Sequence, residues 1–200
     1  GSEWVLTSET LPFAPSGAKS WRSYVDERRL EVACGEGPYL ASRYDTTTGE
    51  VIALERRIGI LDRKLRAVNE NASDDGEWRT WARRAVESVY GYEYQGDSLL
   101  LARENILATY VDYATDALGS EPSTDELTTI ATVISWNLWQ MDGLTNAPPF
   151  QESTQSALDQ LDIFGDLGMQ ERPRCVIRDW RAKRTHDYQA LLRGGGAGAA

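Results

Sequence analysis

Leu54, Ile58, Leu61, Leu65 and Val68 recur at helical spacing, with Arg56, Arg57, Arg63, Lys64 and Arg66 on the other faces, which predicts an amphipathic helix. Asp74 and Glu77 have capping-box spacing, and Trp78, Trp81, Ala82, Ala85 and Val89 continue as an apolar stripe, so a second helix is expected over about 76–88. Its tryptophans read as core rather than as a stacking platform. Leu100, Leu107, Val111, Ala114 and Leu118 mark a long helix stopped by Gly119. Ser123 and Glu126 offer another capping box before Leu127, Ile130 and Ile134. Between these helices lie β-prone runs at 29–34, 89–93 and 137–143. The first stops at Gly35-Glu36-Gly37-Pro38, after which residues 39–44 are expected to begin a helix. Strands alternating with helices predict a short, mostly parallel sheet in a helix-rich α/β fold.

The remaining segments carry weaker patterns. Residues 1–19 read as an irregular lead-in, 20–145 as the α/β domain, 146–193 as a loop with a basic helical extension, and 194–200 as a Gly/Ala tail. Within the extension, Pro148-Pro149-Phe150 is a loop, 156–164 a short helix, and Val176-Ile177 an edge strand before the basic helix.

Charge narrows the partners. The formal charge is −10, which opposes broad contact with phosphate backbones. Residues 171–193 hold seven Lys/Arg and three Asp/Glu; the rest of the chain holds 14 and 28, a balance of −14. A basic docking arm on an acidic body and a solvated C-terminal helix are both open readings. Cys34 and Cys175 lack CxxC or Cys/His spacing, so neither a disulfide framework nor a zinc site is implied. No apolar run reaches the roughly 18 residues of a membrane span, and the start lacks the layout of a signal peptide, so a cytoplasmic protein is expected.

In an open parallel sheet, ligands sit beyond the carboxyl ends of the strands. Each expected strand delivers candidates there. The first ends in Cys34, Gly35, Glu36, Gly37 and Pro38, whose glycines let backbone approach a ligand, with an expected helix start to hold a carboxylate. The second ends at Glu93, an acid able to accept ribose hydroxyls. The third ends at Asp142, which can accept from an adenine amino group, with Trp139 or Met141 near the ring.

These residues resemble the amino-methyltransferases of restriction-modification systems, in particular the phage and prophage family of restriction-enzyme methylase subunits. The resemblance runs over about 20–145, through Leu30-Glu31-Val32-Ala33-Cys34-Gly35-Glu36-Gly37-Pro38, Gly59-Ile60-Leu61-Asp62-Arg63-Lys64, Tyr90-Gly91-Tyr92-Glu93-Tyr94-Gln95-Gly96-Asp97 and Trp136-Asn137-Leu138-Trp139-Gln140-Met141-Asp142-Gly143. It implies a partial Rossmann-like methyltransferase fold and S-adenosyl-L-methionine as cofactor. By the same resemblance, the 33–38 turn is the cofactor loop, Glu93 the ribose acid and Asp142 the adenine acid. Phe13-Ala14-Pro15 is a faint echo of a family Phe-Thr-Pro segment.

The pattern breaks where the chemistry would be. The family clamps a flipped adenine with an Asn/Asp-Pro-Pro-aromatic segment, whereas Ala147-Pro148-Pro149-Phe150 has alanine at the polar position. Only 58 residues follow Asp142, which implies a truncated or degenerate member, inactive alone and completed by a homo-oligomer or a protein partner. DNA contact by the chain itself is expected to be weak. Two other readings stay open: an acidic interaction or inhibitor protein that imitates DNA on a decayed methylase scaffold, and a small-molecule methyltransferase. His186, Glu87, Asp97 and Glu104 are expected to be solvated surface residues, and Cys34 a small buried residue under the loop.

Overall fold

The computed structural model describes residues 20–149 and 174–194. The lead-in with Phe13-Ala14-Pro15, the expected helix at 156–164, Phe150 and all but the first residue of the tail lie outside the described residues.

Ser20 opens the first element by accepting the Ser23 N–H, and helix α1 runs Trp21–Asp26. Strand β1 follows at Arg29–Val32. Helix α2 spans Ile60–Asn71, later than the periodicity from Leu54 predicts. Residues Leu54–Arg56 form a separate 3-10 turn, whose Leu54 and Glu55 carbonyls, with that of Arg57, accept from Arg66. The Ser42 hydroxyl accepts the Ile58 and Gly59 N–H groups at 2.7 and 3.0 Å, which holds 58–59 out of the helix.

Helix α3, Asp75–Glu87, starts as its sequence predicts: Asp74 accepts the Glu77 N–H at 2.8 Å, although the Glu77 carboxylate turns back to Ser73. Strand β2 is Val89–Glu93, and α4 runs Gly96–Leu118 to a left-handed Gly119 at φ 70°. Helix α5, Thr124–Asn137, begins on Ser123 and leads into β3, Leu138–Gln140.

The three strands form one parallel sheet in the order β1-β2-β3. Leu30 lies opposite Tyr90, Val32 opposite Tyr92, and Tyr92 opposite Trp139. Paired residues in parallel strands share a face, so side chains segregate by parity. Val89 and Leu138 join Leu61, Leu65, Trp78, Ala82, Ile106, Tyr110 and Ile130 in the main core under the helices. Tyr90, Trp139 and Met141 look the other way, onto Cys175 and Tyr188.

That second face is covered by a segment in which the edge strand expected at Val176-Ile177 is present, while the residues after it, expected as a basic helix, form a second strand. The basic segment forms an antiparallel hairpin, β4 (Val176–Asp179) with β5 (Arg184–Asp187), before a short helix α6, Tyr188–Gly194. Lys183 takes the left-handed turn position at φ 54°, and the Asp179 side chain accepts the Arg181 and Ala182 N–H groups at 3.0 Å. His186 is therefore half-buried in β5 rather than exposed on a helix.

Two ionic arrangements lock the elements. Lys64, buried in α2, donates to the carbonyls of Val25 and Glu27 and to Ser88 Oγ, which ties α1 to the junction of α3 and β2. Asp112 on α4 accepts from both Arg43 and Arg57, at 3.0 and 2.7 Å. Glu87, expected to be solvated, is buried and paired with Arg83 and Arg84. No helix among the described residues is long and apolar enough to cross a membrane.

Candidate functional site

Parallel pairing brings the carboxyl ends of β1, β2 and β3 to one margin of the sheet, so all the candidate residues issue from neighbouring strand ends. The glycine turn departs from β1 through Ala33, which holds a left-handed φ of 52° although it is not glycine. The Cys34 N–H then donates to Tyr92 O at 2.9 Å, which carries β1's pairing one residue past the strand. Gly35 and Gly37 follow at φ 55° and 78°, conformations in which a Cβ is strained. Gly37 is also tight against α4: a Cβ there would sit 3.4 Å from the Ala102 Cβ.

Glu93 is the hinge of the site. Its Oε2 accepts the Gly35 N–H at 2.8 Å and its Oε1 accepts the Gln95 N–H at 3.0 Å, so one carboxylate fastens the β1 turn to the start of α4. The sequence reading gave Glu93 and the turn separate roles; the geometry makes them one unit. The group is 9% exposed. A carboxylate has about four acceptor positions, and these two bonds leave one on each oxygen.

The rest of the turn is secured by residues that the sequence gave no reason to single out. Asn105 on α4 donates to the Glu36 carbonyl at 3.0 Å, and the Tyr44 hydroxyl donates to the Glu36 carboxylate at 2.5 Å. Asn105 follows Ala102 by three residues, which puts both on the face of α4 that meets the turn, but an asparagine within a helix carries no signal of that use. Cys34 is 4% exposed under the turn, as expected, and burial together with the Glu93 charge pushes its thiol up to about 12.

Asp142 joins the margin differently. Met141 N–H donates to Glu93 O at 3.0 Å, which places Asp142 just beyond the paired end of β3. Its Oδ1 accepts the Leu144 N–H at 2.8 Å, and its backbone bridges to Ala147. It thus organises its own turn, and the Leu144 N–H with Thr145 holds its carboxyl below the usual range. Gly143 lies over Tyr92, where a Cβ would meet the hydroxyl at 3.1 Å. Trp139 is buried against Met141 and Tyr188 on the hairpin face, so neither Trp139 nor Met141 is presented as a ring platform.

One expectation fails here. Residues 39–44 do not start a helix. The Tyr39 and Leu40 carbonyls accept the Ile60 and Leu61 N–H groups, both at 2.8 Å, and the Ser42 N–H donates to Asp62 at 2.7 Å. The segment caps the first turn of α2 instead, so the helix expected after the glycine turn does not back it, and the adjoining helix is α4.

The margin is acidic. Glu36, Glu93, Asp97 and Asp142 lie on it or beside it, while the nearest following cation in sequence, Arg43, is engaged by Asp112. Such a surface suits a cationic ligand and repels a phosphate. Among the described residues no group of His, Cys, Asp and Glu is arranged to hold a metal. Compared with known proteins, the chain matches no family model, no curated protein and no solved structure.

Proposed function

We propose that this chain is an S-adenosyl-L-methionine-binding module of the DNA adenine methyltransferase type, a Rossmann-like partial sheet belonging to a restriction-modification methylase subunit. It acts in the cytoplasm through an oligomer or a protein partner. The single observation that carries this reading is the Glu93 carboxylate at the end of β2, bonded to the Gly35 amide of the turn that leaves β1. A nucleoside laid across those strand ends meets a backbone turn with glycine at two left-handed positions and, beside it, an acid with acceptor positions left for ribose hydroxyls. The acidic margin favours a ligand with a sulfonium and an ammonium group over a nucleotide with phosphates.

The residues that would hold the cofactor are the turn at Cys34, Gly35, Glu36, Gly37 and Pro38, with Glu93, and Asp142 at the far side. S-adenosylmethionine, when bound, would supply an activated methyl group. The chain's own residues contribute binding and orientation; Ala147 leaves the adenine clamp without its polar member, so the module does not transfer methyl groups unaided.

Isothermal titration tests this. S-adenosylmethionine is expected to bind, ATP is not, and Glu93→Ala is expected to weaken binding by at least about tenfold, or ~1.4 kcal/mol. Absence of heat at about 1 mM ligand, where a Kd would correspond to only ~4 kcal/mol, would sink the cofactor reading. It would favour instead an acidic interaction protein that imitates DNA, a role motivated by the −10 charge.

A further inference from the structure

The two margins of the sheet are treated differently. Alternate residues of a parallel strand turn their N–H and C=O toward the neighbour. The Arg29 N–H donates to Ser88 O at 2.8 Å, so Leu30 and Val32 turn theirs outward. At the opposite margin the outward Leu138 carbonyl accepts from Arg103 at 2.7 Å, and the Cys175 thiol lies 3.9 Å from Gln140 O. Nothing comparable meets Leu30 or Val32 among the described residues. Their side chains are 44% and 57% exposed, on the face that carries the hairpin.

Beside this open edge runs a groove of about 200 Å³ between the sheet and the hairpin, floored by Leu30, Tyr90 and Trp139. Arg28, Arg29, Arg178, Asp179 and His186 also line it, with Arg28 paired to Asp179 at 3.2 Å and Arg29 to Glu27 at 3.0 Å. Arg178 stacks its guanidinium 4.8 Å from the Trp180 ring, with a buried Nε that has no acceptor among the described residues. His186 sits opposite Ile177 in the hairpin register. Residues 174–194 hold six Lys/Arg and two Asp/Glu, in a chain whose net charge is −10. Among the described residues the edge is thus apolar, bordered by the Arg178 guanidinium with its unmatched Nε, and provided with unpaired backbone groups at once.

We infer that the open edge of β1 and this groove take an extended acidic and apolar peptide segment of a partner protein as an added strand. Backbone bonds to Leu30 and Val32 supply the pairing; apolar side chains enter the groove, and carboxylates meet its cations. A second copy of the chain suits the edge less well. Two-fold antiparallel pairing about Glu31 sets Glu31 against its own symmetry mate and brings two basic hairpins together. A nucleic acid would use the cations but leave the strand edge and the apolar floor unmatched.

The test uses the full chain and a fluorescein-labelled synthetic octapeptide alternating Glu/Asp with Val/Leu, followed by anisotropy. Its lysine-substituted counterpart and an oligothymidine serve as competing probes. The acidic peptide is expected to bind at least about tenfold tighter than the lysine peptide, and more weakly as salt rises. Val32→Pro, which removes an outward N–H, and His186→Glu are each expected to weaken it by about tenfold. In the unsubstituted protein, the Leu30 and Val32 amide resonances should shift on peptide addition, which tests the edge even if a variant fails to fold. The inference is overturned by equal affinity for both peptides, by tighter binding of the oligothymidine, or by unmoved Leu30 and Val32 amides. It is also overturned by a concentration-dependent dimer that Val32→Pro abolishes, since that would assign the edge to a second copy.

Discussion

Ala33 holds a left-handed conformation that the chain needs in order to swing from β1 into the glycine turn. For an alanine that conformation costs about 1 kcal/mol. Ala33→Gly is therefore expected to raise stability in urea melts by ~0.5–1 kcal/mol, whereas Gly37→Ala should lower it by ~1–2 kcal/mol, since it adds the same strain and a tight contact with Ala102. Equal effects of the two changes would show that the turn is not held as described. Beneath it, Cys34 is buried with its thiol at about 12, and Cys175 is raised to about 11. The thiolate is the reactive form, so at pH 8 native Cys34 should react with a disulfide reagent about a thousandfold more slowly than in urea. Fast labelling of Cys34 in the folded protein would contradict that burial.

At the scale of elements, Lys64 deserves the sharpest test because it joins α1, α2 and the α3–β2 junction through one ammonium group. Lys64→Met leaves the half-buried Glu27 carbonyl without this donor, while Val25 O keeps the Ser88 hydroxyl at 2.8 Å, and a loss of ~1–3 kcal/mol is expected, with faster hydrogen exchange over 21–26. Burial, with Arg29 nearby, lowers the Lys64 pKa from 10.5 to about 7. The folded state therefore releases this proton before the unfolded state does, and the contribution of Lys64 to stability rises with pH from about 7 toward 8.5. Above that range the raised cysteine values act in the opposite direction. The difference between wild type and Lys64→Met should widen by up to ~2 kcal/mol over the window, and a constant difference would refute the assignment.

The same scale explains what could be read in advance. Val89–Glu93 was legible because a compact β-prone run lies between a helix end and an acid, and the end of α4 because Gly119 is a left-handed stop. Helix α1 was missed: six residues with one buried apolar position, Val25, make too short a pattern to register. Val176-Ile177 is legible as a strand, but β5 is not, because arginine, threonine and histidine at 184–186 carry no alternation; their partner strand and the Asp179 turn define them. The helix expected at 39–44 failed because the carbonyls of that segment are taken by the amides of α2, a long-range competition that no local pattern records.

For the whole molecule, charge and topology point the same way. The main core lies on one side of a three-stranded sheet, the basic hairpin covers part of the other, and Glu36, Glu93 and Asp142 follow the carboxyl ends of the strands. With a net charge of −10, the chain alone is expected to leave duplex DNA unretarded in a gel-shift assay at about 0.15 M salt. Salt-sensitive retention of duplex DNA there would require a basic face that the described residues do not provide at the strand ends.

Amide chemical shifts probe the carboxyl margin of the sheet most directly. Glu93 accepts the Gly35 and Gln95 N–H groups, so a nucleoside that takes its remaining acceptor positions must perturb both amides. Titration with S-adenosylmethionine is predicted to shift the resonances of Gly35, Gly37 and Gln95 together, saturably, and to leave those of the β4–β5 hairpin in place. Unmoved Gly35 and Gln95 amides at about 1 mM ligand, or shifts confined to the hairpin, would contradict the account.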